Sequence, residues 1–259
     1  MDKINILLTG GNGYIAKSLK ENLNYNITTI TRTDFDLCDD ISTNLWFKDK
    51  FFDIVIHTAV CGGSRLKTDE HTVLENNIKM YKNLYDQKDH FNKFITFGSG
   101  AELFASQSPY GKSKKIIAES IYDTKNFYNL RIFGVFDENE LSTRFIKANL
   151  IRYINNEPII IHSNKIMDFY YMKDLISLVD YFIKNNNTPK EVNCSYDMKF
   201  TLKQIAEFIN SLDNHKVPVI IENQKHLEFY CDSAHDLNIN EIGLQQGIID
   251  TYNILKHRG

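Results

Sequence analysis

Three features of the sequence predict an α/β protein, a doubly wound parallel sheet followed by a small C-terminal lobe. Through the first half, short runs of continuous β-branched and aromatic residues alternate with longer amphipathic stretches. Such runs read as strands buried on both faces, and the stretches between them as covering helices. A glycine-rich turn joins the first strand to the first helix, and after Phe136 the alternation breaks. Right-handed crossovers between parallel strands then give a sheet wound in both directions from its centre.

The elements follow in order. Ile4–Thr9 reads as strand, Ile15–Asn22 as helix, Ile27–Thr31 and Phe52–Thr58 as strands. A helix over Thr72–Lys88, a strand over Phe94–Ser99, a helix over Pro109–Tyr122 and a strand over Tyr128–Val135 complete the regular part. Ser108 is an N-cap candidate, and Pro109 suits the first helical position, where its missing N–H costs nothing. Beyond a polar stretch at Asp137–Thr143, helices are expected near Arg144–Asn155, Asp168–Lys184, Leu202–Leu212 and Gly247–Lys256. Short strands are expected at Pro158–His162, Glu191–Cys194 and Val217–Ile221, with Glu191–Cys194 rejoining the parent sheet. No Pro/Gly-rich linker separates the halves, so the tail packs as a lobe.

Composition narrows the function. A chain of 259 residues can bury one sizeable core plus an appended lobe. A formal charge of −3 gives no electrostatic footprint for nucleic acid. No apolar run approaches the ~20 residues needed to cross a bilayer, and the N-terminus enters a strand pattern without a signal-peptide profile. Cys38, Cys61, Cys194 and Cys231 show no paired metal spacing and suit a reducing compartment. The expected location is cytoplasmic.

Four stretches carry chemistry. Thr9-Gly10-Gly11-Asn12-Gly13-Tyr14-Ile15-Ala16 follows the first strand and opens the first helix, the context in which a glycine fingerprint binds a dinucleotide. Gly10 permits the tight turn, Gly13 lets backbone N–H groups approach a pyrophosphate, and Ala16 allows close helix–sheet packing. The second strand ends in Thr31-Arg32-Thr33-Asp34. An arginine at that end accommodates the 2′-phosphate of NADP, whereas an acid accepts the 2′-hydroxyl of NAD. Arg32 points to NADPH, and Asp34 two residues on keeps NAD as the weaker alternative. Phe97-Gly98-Ser99-Gly100-Ala101 ends a strand at its carboxyl edge, where open α/β sheets hold ligands. Tyr110 and Lys114 then stand one helical turn apart on one face. A phenol with a pKa near 10 needs help to work at neutral pH, and a neighbouring ammonium stabilises its anion.

The glycine turn, Ser99, Tyr110 and Lys114, in this order and spacing, resemble the extended short-chain dehydrogenase/reductase family, most of whose members act on nucleotide-activated sugars. Asp53–Ala59 resembles its fourth strand, Asn76-Asn77-Ile78 the asparagine of the next helix, and Leu130–Gly134 its sixth strand. Met167–Leu175 is similar to its "RDFxxVDDL" segment, and Asp232-Ser233-Ala234 with the closing helix to its last element. The likeness spans essentially the whole chain. It implies a Rossmann domain over residues 1–135, rejoined by 168–198, with residues 136–167 and 199–259 forming the substrate-binding lobe. Ser99, Tyr110 and Lys114 are the implied catalytic residues. The implied cofactor contacts are Gly10, Gly13, Tyr14, Ile15, Arg32, Thr58, Ala59, Asn77 and Lys114. Arg32–Asp39 resembles the loop of NADPH-using deoxysugar reductases, in which Leu37 and Asp39 would line the adenine pocket. The helices over Thr72–Lys88 and Pro109–Tyr122 pair across a two-fold axis in many members, which implies a homodimer.

The departures from the family narrow the reaction. Dehydratases carry an Asp-Glu pair after the active-site Ser or Thr; here Gly100 and Ala101 follow Ser99, and Glu102 falls one place late. GDP-fucose synthases epimerise with a cysteine two residues beyond the serine and a histidine on the substrate helix; here Ala101 and Arg144 stand there. Met167 and Gly134 replace an arginine and an asparagine that commonly contact substrate. Ser99, Gly100, Ala101, Arg144 and Lys147 are the candidate substrate contacts, with Lys165 and Arg152 as further cations and Arg65 unassigned. His57 reads as a hydrogen-bonded strand-end residue. The expected function is NADPH-dependent reduction of a nucleotide-linked 4-keto (deoxy) sugar. An NAD-dependent 4-epimerase is the nearest alternative, and a non-enzymatic dinucleotide sensor a more distant one.

Overall fold

In a computed structural model, residues 3–64 and 68–258 are described, the side chain of Lys225 apart. Six strands form the main sheet in the order β2-β1-β3-β4-β5-β9: β1 Asn5–Thr9, β2 Asn26–Ile30, β3 Phe52–His57, β4 Phe91–Ser99, β5 Phe127–Ile132 and β9 Glu191–Cys194. β1 pairs in parallel with β2 (Thr9 opposite Ile30) and with β3 (Thr9 opposite His57), and β3 pairs in parallel with β4. The order reverses between β1 and β3, so the carboxyl ends of β1, β2 and β3 frame the crevice in which such sheets bind ligands.

Helices α1 (Tyr14–Asn22), α2 (Asp40–Phe47), α3 (Thr72–Asp86), α4 (Ala101–Phe104) and α5 (Pro109–Tyr122) connect these strands. The start of α5 matches expectation: Pro109 opens it and the Ser108 hydroxyl accepts the Gly111 N–H at 3.0 Å. Leu7, Val55, Phe94, Met80, Leu84, Ile117 and Phe127 share one buried cluster, in which Phe94 and Phe127 stack at 4.7 Å. Burying each such side chain stabilises the fold by about 1.5–3 kcal/mol. Lys93 on β4 caps the end of α7 (Met172–Lys184), its buried ammonium donating to the carbonyls of Phe182 at 2.6 Å and Asn185 at 2.9 Å. Cations belong at helix C-termini, where unsatisfied carbonyls concentrate negative charge.

The chain divides into two compact units, Met1–Arg131 with Val179–Val192, and Ile132–Leu178 with Asn193–Gly259. The second unit holds β6 (Val135–Phe136), α6 (Phe145–Ile154), β7 (Ile159–Met167), β8 (Tyr170–Tyr171), α8 (Leu202–Ile209), β10 (Val219–Tyr230) and α9 (Leu244–Arg258). β7 and β10 pair in parallel, β6 pairs with β8, and Ile146, Leu150, Tyr153, Ile161, Ile205 and Ile248 share its core. α8 opens with a capping box in which Thr201 and Gln204 satisfy each other's backbone N–H groups. Expected helix Asp168–Lys184 begins later, at Met172, because Tyr170 and Tyr171 are held in strand β8 and Asp168 pairs with Lys199 at 2.9 Å. No helix among the described residues is long and apolar enough to cross a membrane.

Candidate active site

The turn after β1 brings its backbone close to the crevice at its glycines. Gly10 has φ +68°, and a Cβ there would lie 2.7 Å from the Ala59 nitrogen, so no other residue fits between β1 and the end of β3. Gly13 donates to the Gly10 carbonyl at 2.8 Å and stands at the N-cap of α1 without a side-chain acceptor. The first N–H groups of α1 therefore keep no side-chain cap, the arrangement that receives a phosphate.

A cleft of about 420 Å³ opens beside this turn. Gly10, Asn12 and Gly13 line it, with Thr58, Ala59 and Val60, and with Arg32, Phe35, Asp36 and Leu37. Six expected cofactor contacts thus meet in one cavity: Gly10, Gly13, Arg32, Leu37, Thr58 and Ala59. The Thr58 hydroxyl donates to the Thr9 carbonyl at 2.6 Å, which holds the ends of β1 and β3 together. Arg32 is exposed and donates to the Cys61 sulfur at 3.3 Å.

Five expected contacts lie elsewhere, Lys114 on α5 among them. Tyr14 and Ile15 sit half-buried in the first turn of α1 and do not line the cleft, whose lining on this side ends at Gly13, the N-cap. Asp39 is the N-cap of α2, its carboxylate accepting the Ile41 N–H at 3.1 Å, and Asp36 takes the place expected of it in the cleft wall. Asn77 is 3% exposed and acts as a clamp: it accepts the Cys61 N–H at 2.8 Å and donates to the Cys61 carbonyl and the Ser113 hydroxyl, both at 3.0 Å. Its amide holds the wall of the cleft to α5.

Ser99 ends β4, 8% exposed, and its hydroxyl accepts the Ala101 N–H at 3.2 Å. Gly100 is the N-cap of the short helix α4, and Ala101 lies buried in its first turn. On α5, Lys114 donates to the Phe97 carbonyl at 2.7 Å and its ammonium lies 5.8 Å from the Tyr110 ring centre. Burial pulls the Lys114 pKa down to about 8, against the Glu102 carboxylate, which raises it. Gly63, at φ +74°, lies against the face of Tyr110: a Cβ there would come 2.8 Å from the ring. His57 bonds the Thr9 hydroxyl at 2.8 Å, and burial, with the Lys114 charge adding to it, lowers its pKa to about 3, so it stays neutral.

Arg144 and Lys147 belong to the second unit. Arg144 is the N-cap residue of α6 and its guanidinium pairs with Glu140 at 3.3 Å, while Lys147 donates to the Glu140 carbonyl at 2.6 Å. Met167 is buried in the apolar core, Lys165 lies over the Tyr230 ring, and Arg65 lies outside the described residues. Glu102, one place late for a dehydratase acid, has contacts that the sequence did not reveal. It is buried, it accepts the Ser99 N–H at 2.7 Å, and it pairs with Arg131 at 2.9 Å. The available signal was Arg131 itself, a cation inside an otherwise apolar strand, which demands a buried acid nearby.

A reversing parallel sheet whose first strand opens through glycines onto an uncapped helix defines a class, the dinucleotide-binding α/β proteins. The NAD dependent epimerase/dehydratase family model matches residues 6–195, and the chain belongs to that family. It is therefore an enzyme of the NAD(P)-dependent oxidoreductase type, with a nicotinamide dinucleotide as cofactor, which the glycine cradle fits. Among solved structures it is similar to a GDP-mannoheptose C4 reductase from Campylobacter jejuni with NADP bound (TM-score 0.80, 15% identity, 99% of each chain). It is also similar to UDP-glucose 4-epimerase from Thermotoga maritima with UDP-glucose (TM-score 0.78, 16% identity, 98% of this chain and 99% of that). UDP-N-acetylglucosamine 4-epimerase from Bacillus cereus follows (TM-score 0.75, 20% identity, 99% and 100%). A search of curated proteins finds no match.

Proposed function

We propose that the chain reduces the 4-keto group of a nucleotide-linked (deoxy) sugar with NADPH, Tyr110 supplying the proton. One observation carries the reading: the Lys114 ammonium, anchored on the Phe97 carbonyl at 2.7 Å, stands 5.8 Å from the centre of the Tyr110 ring. The bound reduced nicotinamide supplies a hydride to the keto carbon. Tyr110 passes its hydroxyl proton to the oxygen as that oxygen becomes an alkoxide, and the Lys114 charge stabilises the phenolate left behind. The Ser99 hydroxyl hydrogen-bonds the same oxygen. Gly100 and Ala101 offer no acid or base for dehydration or for epimerisation beside the carbonyl, and the Glu102 carboxylate is engaged by Ser99 and Arg131. Arg32 in the cleft wall supports NADPH through the 2′-phosphate. What remains is hydride and proton transfer at one carbon.

The test is Tyr110→Phe. NADP binding should persist, and turnover with a 4-keto sugar nucleotide, followed by loss of NADPH absorbance, should fall about 10²–10⁴-fold. Retained turnover would remove Tyr110 from the mechanism. A second reading, an NAD-dependent 4-epimerase, is favoured by one observation: Asp36 lines the same wall as Arg32 and could accept a ribose 2′-hydroxyl.

A further inference from the structure

We propose that Glu102 is a positioning residue for this site, its buried carboxylate fixing the backbone of Ser99 and standing as the anion opposite the Lys114 ammonium across the end of β4. The inference rests on the roles given above to Ser99, Tyr110 and Lys114, and adds to them a residue that touches neither substrate nor cofactor.

Glu102 is 4% exposed, and both of its oxygens are used. Oε1 accepts the Ser99 N–H at 2.7 Å and Oε2 accepts the Arg131 Nε at 2.9 Å. Arg131 turns its other arm to Glu191, which also accepts from Asn129 at 2.8 Å. The carboxylate lies against Gly98, where a Cβ would overlap its Oε1, so the end of β4 is shaped to admit it. From the other direction Lys114 grips the Phe97 carbonyl. Opposite charges from α4 and α5 thus clasp three consecutive residues, Phe97, Gly98 and Ser99.

The charge count favours this arrangement. Glu102 and Glu191 are matched by Arg131 and Lys114, so neither ion pair nor ammonium is buried without compensation. Three titratable groups face Lys114: Tyr110 from its own helix, Glu102 from α4, and His57 from β3. His57 is neutral, and on the proposed function Tyr110 is the proton donor. Glu102 is therefore the anion that opposes the desolvation of Lys114, and Arg131 in turn opposes the desolvation of Glu102.

The experiment follows the Lys114 side chain directly, by titrating its ¹³Cε resonance in the substrate-free protein, assigned with Lys114→Arg. In Glu102→Gln the amide oxygen can still accept the Ser99 N–H and Arg131 keeps Glu191, while the charge and the acceptor of the Arg131 Nε–H are lost. The Lys114 midpoint should move to lower pH by about one unit, a tenfold change in proton affinity, and the alkaline limb of kcat should move with it. Glu191→Gln, which removes an equal charge without a contact to Ser99, should move the midpoint less. Glu102→Asp keeps the charge but cannot span to Ser99: the midpoint should stay, while the Ser99 amide proton shifts and kcat falls. This variant also carries the test should Glu102→Gln fail to fold. An unmoved midpoint in folded Glu102→Gln, an equal displacement by Glu191→Gln, or an unchanged Ser99 amide in Glu102→Asp overturns the proposal. Because the titration needs no turnover, a moved midpoint beside an active Tyr110→Phe enzyme would instead sink the catalytic reading.

Discussion

Gly63 shows how much the candidate site depends on single atoms. Its φ of +74° is one that side chains other than glycine rarely adopt, and the face of Tyr110 occupies the space of a Cβ. Its N–H is held by the Asp69 carboxylate at 2.9 Å, so the loop cannot simply drift away. Gly63→Ala should therefore cost about 1 kcal/mol or more of stability and displace the ring, lowering kcat about tenfold or more with NADP affinity nearly unchanged. Steady-state rates beside a cofactor titration check this; an unchanged kcat would show that the ring needs no such support. Sequence made the relation of Tyr110 to Lys114 legible because a helix fixes a spacing of four locally. It did not reveal Gly63 over Tyr110, Asn77 on Cys61, or Glu102 on Ser99. Those contacts join residues brought together by separate strands and helices, and no local pattern encodes them.

At the level of elements, the start of α6 carries a pH dependence. Glu140 is 4% exposed; burial raises its pKa from 4.5 to about 7, against the opposing charge of Arg144. The folded chain thus holds this proton more tightly than the unfolded chain does. The contribution of Glu140 to stability is greatest below about 4.5, declines as pH rises towards about 7, and stays lower beyond, by an amount on the order of 2–3 kcal/mol. Glu140→Gln should raise the melting temperature at pH 8 relative to the parent, with the difference vanishing near pH 4.5. A difference independent of pH would assign the effect to packing. Most elements were legible where apolar runs were long: α5 and β9 occupy the expected residues, and β1, β3 and α3 differ by one or two at an end. α2 was missed. Its Ile41 and Leu45 are both 67% exposed, so its apolar residues do not mark one buried face, and its real signature was the cap at Asp39. β7 and β10 run beyond their expected ends through polar residues, because pairing with each other satisfies their backbones without an apolar pattern.

At the scale of the whole molecule, the fold answers the question of class and leaves the cofactor's fate to chemistry. A reductase must exchange spent cofactor at every turnover, whereas an epimerase takes its hydride back and can retain the same molecule. On the proposed function, purified protein should carry less than stoichiometric nicotinamide absorbance and require added NADPH; a full complement of bound NAD would favour the epimerase. On that proposal the Arg32–Asp36 wall of the cleft is the part of the chain that would set the choice between NADPH and NAD. The amide of Asn77 ties this half of the protein together, since its partner Ser113 in turn donates to the carbonyl of Tyr110 at 2.7 Å. The loop after β3 and the backbone of Tyr110 therefore share one hydrogen-bonded frame. A change that loosens one will be felt at the other, and drift in substrate preference must come from parts of the chain outside that frame.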